Sequence, residues 1–209
     1  LAGLLGMLAT LTRLPGVFLA APILWEGWQA YKDQPLAERR GNLATVVIAA
    51  AQMPLAMAAF SLYVHYGLGA DWPWVGLEKG WHLRFAMPWE GIVGTLQRMA
   101  IEPVGLEALS KFFDVLLAVW ALVLLVIGIR RLPFQYTLYA AALLLPSLTK
   151  ILDNNVLMSL SRYVLPIFPL FVIHDRLLAS KGTRIIVAMV FLTGQALLLL
   201  MFYRWMWVA

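Results

Sequence analysis

The chain of 209 residues is 62% hydrophobic and only 13% charged, with a mean hydropathy of +0.81; this excludes a water-soluble domain with a charged surface and fits an integral membrane protein. Its net charge of +5 comes from sixteen Lys and Arg scattered between apolar runs, never gathered into a basic face, so the charge speaks for membrane topology and against nucleic acid. The absence of cysteine excludes disulfides, thiolate metal sites and a thiol nucleophile.

Crossing a hydrocarbon core of roughly 30 Å takes about 20 mostly apolar residues of helix. The first such stretch, residues 1–25, reads "LAGLLGMLATLTRLPGVFLAAPILW" and is long enough only with Arg13 included. It lacks the basic start and small-residue cleavage site of a signal peptide and resembles a protein interior; the chain is expected to be the C-terminal part of a longer polytopic protein. Residues 43–65 lie inside Gly41 to Ala70, thirty residues without Asp, Glu, Lys or Arg. Further apolar runs cover residues 112–129, 132–149 and 185–203, each bounded by Lys, Arg or an interfacial aromatic. Residues 151–173 add another only if Asp153 and Arg162 are counted in. The expected fold is all-α, a polytopic transmembrane helical bundle forming a single membrane domain over 1–209, with no internal repeat.

If every run crosses, Lys32, Arg39, Arg40, Arg130, Arg131, Arg176, Lys181 and Arg184 share one side, which the positive-inside rule makes cytoplasmic. Residues 66–111, the short segment 150–162 and the C-terminal "RWMWVA" then face the other side. The long loop carries Trp72, Trp74, Trp81, Phe85 and Trp89 among few charges, which suits a membrane surface. Within it Pro88 fits the first turn of a helix and Glu90 its positive end, while Ile92, Val93, Leu96 and Met99 share a face. Residues 88–100 are therefore expected to form an interfacial amphipathic helix.

The chemistry concentrates at two broken runs. In "SLSRYVLPIFPLF" (159–171), the uncharged stretch from Tyr163 to Ile173 has eleven residues, about 16 Å of helix, so any crossing brings Arg162, or Asp175 and Arg176, toward hydrocarbon. Pro166 and Pro169 free backbone carbonyls that protein or a water-filled cavity must receive. Two readings stand for Arg162: an interfacial anchor on a kinked helix, or a cation for an anionic ligand. Arg13 in "ATLTRLPGVF" poses the same choice, and two arginines at breaks favour phosphate, which guanidinium matches bidentately. In the loop, Trp81, His82, Arg84 and Trp89 are either sugar or head-group contacts or part of an aromatic belt. His65, His82 and His174 match no metal spacing, and Glu78, Glu90 and Asp153 have no nucleophile paired with them. Asp71 beside Trp72 reads as a turn former.

"SRYVLPIFPLF" resembles the C-terminal signature of the PIG-V-like membrane mannosyltransferases, enzymes of GT-C fold that use lipid-phosphate-linked sugars. Residues 1–26, with their arginine-containing break, and "LEKGWHLRFAMPWEGI" (77–92), with its "GW...PW" spacing, resemble two other segments of that family in the same order. The resemblance implies a multi-pass glycosyltransferase in a bacterial plasma membrane, or in the ER membrane of a eukaryote. It would move a hexose, mannose by analogy, from a polyprenyl- or dolichyl-phosphate donor to an extracytoplasmic acceptor. It further implies a GT-C-like bundle, donor-phosphate binding by Arg162, Arg13 and Tyr163, and sugar contact by Trp81, Arg84 and Trp89. The family pattern also includes Pro88. The catalytic carboxylate is expected upstream of Leu1. Implied partners are the lipid-linked donor and membrane lipids, without nucleic acid; no cofactor is indicated, and a divalent metal is left open. A transporter or flippase, which also uses broken helices and intramembrane charges, and a non-catalytic assembly subunit are the competing classes.

Overall fold

The computed structural model describes residues 1–33, 35, 39–101, 105–152, 157, 160–178 and 180–204. Asp153 and residues 205–209 lie outside the described residues. The described chain is predominantly helical: α1 (Ala2–Thr12), a 3-10 turn (Leu14–Leu19), α2 (Ala20–Lys32), α3 (Arg39–Leu62) ending in a π-helical turn (Tyr63–Gly67), α4 (Pro73–Trp81), β1 (Leu83–Phe85), α5 (Pro88–Ile101), α6 (Leu106–Arg131), α7 (Phe134–Leu148), β2 (Lys150–Leu152), α8 (Leu160–Val164), α9 (Phe168–Leu177) and α10 (Lys181–Tyr203). The mostly helical chain expected from the sequence is thus observed, with one short pair of strands, β1 with β2, added to it.

Among the described residues, three helical stretches are long and apolar enough to cross a membrane: Gly41–Gly67, Ala108–Arg131 and Lys181–Tyr203. Only 17%, 33% and 6% of their most apolar windows are buried within the protein. Exposed side chains such as Ile48, Val126, Ile186, Val190 and Leu199 cover the remainder. A surface of that composition is stable against lipid, where the helical backbone satisfies its own polar groups. The run at 132–149 yields the shorter apolar α7, whose 15 residues span about 22 Å, less than a hydrocarbon core.

The other two expected crossings are broken, and local chemistry explains where. In 1–25, α1 stops at Arg13, whose backbone is extended at φ −150° and ψ 131°. Leu14 precedes Pro15, and the proline opens the 3-10 turn instead of prolonging α1. In 151–173, β2 is followed by α8, a turn at Leu165–Ile167 and then α9. Pro169 sits in the first turn of α9, where its missing N–H costs nothing, and Pro166 lies in the turn between the helices. Neither segment is a single crossing helix.

Contacts divide the chain into two compact units, Leu1–Leu83 with Pro133–Leu143, and Arg84–Leu132 with Leu144–Ala209. In the first, α1 and α2 both lie along α3 through small residues. A Cβ on Gly3 would fall 2.8 Å from the Ala49 Cα, one on Gly6 would strike the Met53 side chain, and one on Gly27 would strike the Val46 methyls. Because Gly3 meets Ala49 and Gly6 meets Met53, α1 runs parallel to α3; Gly27 against Val46, with Lys32 leading by a short link into Arg39, makes α2 and α3 an antiparallel hairpin. The chain therefore rises along α3, turns at Arg13 and descends. Gly16 closes that turn by lying against the backbone of Ala9 and Thr10.

The C-terminus of α4 carries a local strain. His82 adopts the left-handed region, φ 49° and ψ 40°, with its N–H donated to the Leu77 carbonyl. That conformation is unfavourable for any residue with a Cβ, and glycine is the usual occupant at such a helix end. His82→Gly is expected to stabilise the protein by about 1 kcal/mol, read as a higher unfolding midpoint in detergent. A lower midpoint would mean that the imidazole makes a compensating contact.

In the second unit the core is one face of α6, with Val115, Ala118, Ala121, Leu124 and Leu125, packed against Ile167, Leu170 and Ile173 at and along α9. Helix α10 joins through aromatic edges: Phe191 meets Trp120 of α6 and His174 of α9 at centroid distances of 6.2 and 5.8 Å. The Trp120 indole N–H donates to His174 Nδ1 over 3.2 Å. Basic residues gather where these helices end. Arg176 donates to the Arg131 carbonyl at 3.5 Å, and Arg184 pairs with Asp175 at 3.4 Å. The chain from α8 into α9 starts away from this basic end and finishes at it, so α8 and its neighbours occupy the opposite end of the unit.

Candidate functional site

At that opposite end, two segments far apart in sequence meet. The Ala86 N–H, just past β1, donates to the Thr149 carbonyl, just before β2, over 2.9 Å, so the strands run antiparallel. This pairing anchors the stretch containing Arg84, Pro88 and Trp89 beside the stretch leading to Arg162 and Tyr163. Gly91 makes the approach of α5 possible, since a Cβ there would lie 2.9 Å from Leu157 and 3.7 Å from the Leu148 carbonyl.

Glu90 organises the start of α5. Its Oε1 accepts the Met87 N–H at 2.9 Å, the reciprocal half of a capping box, and its carboxylate faces the positive helix end. Its other oxygen accepts from Arg84 Nη1 at 3.5 Å, which ties β1 to α5. Both partners are substantially exposed, so the pair contributes at most about 1 kcal/mol. Its effect is to orient Arg84. Trp89, in the first turn of α5, is 62% exposed and open to a ligand or to the membrane surface.

From the other segment, Arg162 is exposed on α8 while Leu160 and Val164 on its two sides are buried, so the short helix turns Arg162 outward. Tyr163 is half-buried and presents its ring to Lys150, whose Nζ lies 5.4 Å from the ring centroid. That distance is within cation–π range. Burial pushes the Lys150 ammonium below the usual lysine range.

No family model, curated protein or solved structure matches the chain. The site therefore rests on its own chemistry. The contact the structure gives is Lys150 against Tyr163, on a strand paired with the one that carries Arg84, and a cation on an aromatic ring suits a phosphate carrying an apolar or sugar substituent.

Four of the residues singled out from sequence, Arg84, Trp89, Arg162 and Tyr163, belong to this unit. Arg13, exposed at the turn after α1, and Trp81, at the end of α4, belong to the first unit, as does His82. Asp71 makes an exposed ion pair with Lys79 at 2.9 Å. His65 stacks on Trp72 at 4.2 Å, and Trp72 on Trp74 at 5.1 Å, which makes an aromatic ladder at the end of α3. Among the described residues no group of three His, Cys, Asp or Glu is arranged to hold a metal.

Two residues escaped the sequence reading. Lys150 served there only to end the apolar run 132–149. Asp114 sits inside the apolar run of α6 and is the sole acidic residue of the three candidate spans, a signal visible in the sequence.

Proposed function

We propose that the chain is part of a polytopic glycosyltransferase of GT-C type that transfers a hexose from a polyprenyl- or dolichyl-phosphate donor to an acceptor outside the cytoplasm. The observation that supports the reading is the pairing of β1 with β2, which joins the stretch carrying Arg84 and Trp89 to the strand whose Lys150 lies against Tyr163, two stretches nominated separately by their resemblance to one enzyme family. The collection of Arg131, Arg176 and Arg184 at the far end of the same unit supports an extracytoplasmic site, because basic ends stay in the cytoplasm. The three long apolar helices support a multi-pass membrane setting.

In this reading the donor phosphate is held by Arg162 and Tyr163, and its prenyl chain extends along the apolar helix surfaces. A shallow apolar cleft of about 470 Å³ between Phe113 and α10, lined by Ile186, Met189, Val190 and Leu197, is one path for such a chain. An acceptor hydroxyl, deprotonated by a general base, attacks the anomeric carbon as the bond to the lipid phosphate breaks. The departing phosphate gains negative charge, and Arg162 stabilises it.

The test is transfer of labelled mannose or glucose from polyprenyl-phosphate donors by membranes containing the full-length protein, with empty membranes as the control. Donor-dependent labelled product is expected. Transbilayer movement of the lipid without transfer would replace the enzyme by a flippase.

A further inference from the structure

We propose that Lys150 is a further residue, besides Arg162, that receives the phosphate of an anionic prenyl lipid in this site; naming that lipid as a sugar donor rests on the glycosyltransferase reading above. Three observations lead to it. The Lys150 Nζ stands over the ring of Tyr163, the residue that follows Arg162 on α8. It is half-buried, and among the described residues the carboxylates in ion pairs are engaged elsewhere: Asp71 with Lys79, Glu90 with Arg84, and Asp175 with Arg184. A partly desolvated cation against an aromatic face, with no carboxylate of the described residues in an ion pair with it, is suited to an anion from outside the fold.

The charge state follows the same logic. Burial disfavours the ammonium, so the empty site loses its proton at a lower pH than a surface lysine does. A bound phosphate favours the charged form, and binding above that pH takes up a proton. Among the described residues Tyr163 on α8 lies against Lys150, while Arg84 on β1, Glu90 on α5 and Arg162 on α8 are the charged groups of the elements next to it in the sheet and the chain. Affinity for phosphate should therefore be full at neutral pH and fall as pH rises through the lowered lysine value, below the range of an ordinary lysine.

The experiment uses the full-length protein in nanodiscs, with binding of polyprenyl phosphate followed by tryptophan fluorescence. Neutral polyprenol and inorganic phosphate are the comparison probes. Lys150→Met is expected to weaken polyprenyl phosphate by about tenfold or more, in line with loss of a charge-assisted hydrogen bond. Lys150→Arg should keep most of the affinity and abolish its fall at high pH, and Tyr163→Phe should leave that pH dependence in place. Thermal unfolding separates binding from folding. Lys150→Met should melt at or above wild type at neutral pH, because the cost of the buried ammonium is present below the lowered value and disappears as pH rises toward the unfolded one. If Met is not tolerated, Lys150→Gln takes its place. Wild-type affinity in a folded Lys150→Met or Lys150→Gln protein overturns the proposal, and so does Lys150-dependent binding of inorganic phosphate without binding of the lipid. Lys150-dependent lipid binding without any sugar transfer upholds it and removes the glycosyltransferase reading; transfer indifferent to Lys150 does the reverse.

Discussion

Arg162→Ala is expected to lower sugar transfer by about a hundredfold or more in the full-length protein, with expression and membrane insertion unchanged. The magnitude is that of removing a preorganised donor aimed at charge that develops in the transition state. Insertion should be normal because the residue is exposed on α8 and its helix is held by the buried Leu160 and Val164 on either side. Arg162→Lys should recover part of the rate, since an ammonium restores the charge without the planar fork that grips two phosphate oxygens. The measurement is turnover of a labelled lipid-phosphate donor at saturating acceptor. Transfer at the wild-type rate in the alanine variant would reduce Arg162 to a membrane anchor.

Gly27→Leu is the substitution with the largest expected effect on stability. Gly27 is buried on α2, and a Cβ there would already overlap the Val46 methyls of α3. A leucine must push the two helices apart, which costs about 3 kcal/mol or more for overpacking. In a chain of this size that corresponds to a loss of about 6–12 °C in unfolding midpoint. Val46→Ala in the same background should return part of the loss, because the clash is with the valine methyls. A midpoint equal to wild type would show that α2 does not lie on α3 at this close distance. Small residues at helix contacts take this role in membranes because apolar side chains gain little by leaving lipid for one another, and close backbone approach supplies the attraction.

The places where helices break were legible at single residues. Pro15 after Arg13, and Pro166 with Pro169 after Arg162, interrupt helices for reasons contained in a few neighbouring atoms, and the chain breaks there. The start of α5 was legible in the same way, since Pro88 and Glu90 are a proline and a carboxylate at the positions that favour both. What became of the broken pieces was not legible. Residues 1–25 read equally well as one kinked crossing, and the turn of α1 back into α2 depends on Gly3, Gly6 and Gly27 meeting particular residues of α3. The short β1–β2 pair was hidden because Leu83–Phe85 and Lys150–Leu152 have too few residues each to display an alternating pattern.

The site divides along the same line. Arg162, Arg84 and Trp89 could be nominated from residue type, because a charge or an indole beside an apolar run is conspicuous wherever it falls. Lys150 could not, since a lysine at the end of an apolar run is the ordinary mark of a membrane boundary. By itself the sequence determined a mostly helical chain suited to a membrane, the positions of four apolar runs, three of which form long helices, and the residues at which two further runs are interrupted, because hydropathy and helix punctuation are properties of neighbours along the chain. Only the tertiary structure decided that the strand after α7 pairs with the strand before α5, and that Lys150 is thereby half-buried against Tyr163. That pairing joins residues more than sixty positions apart, and burial and charge compensation are set by whatever the fold brings into contact.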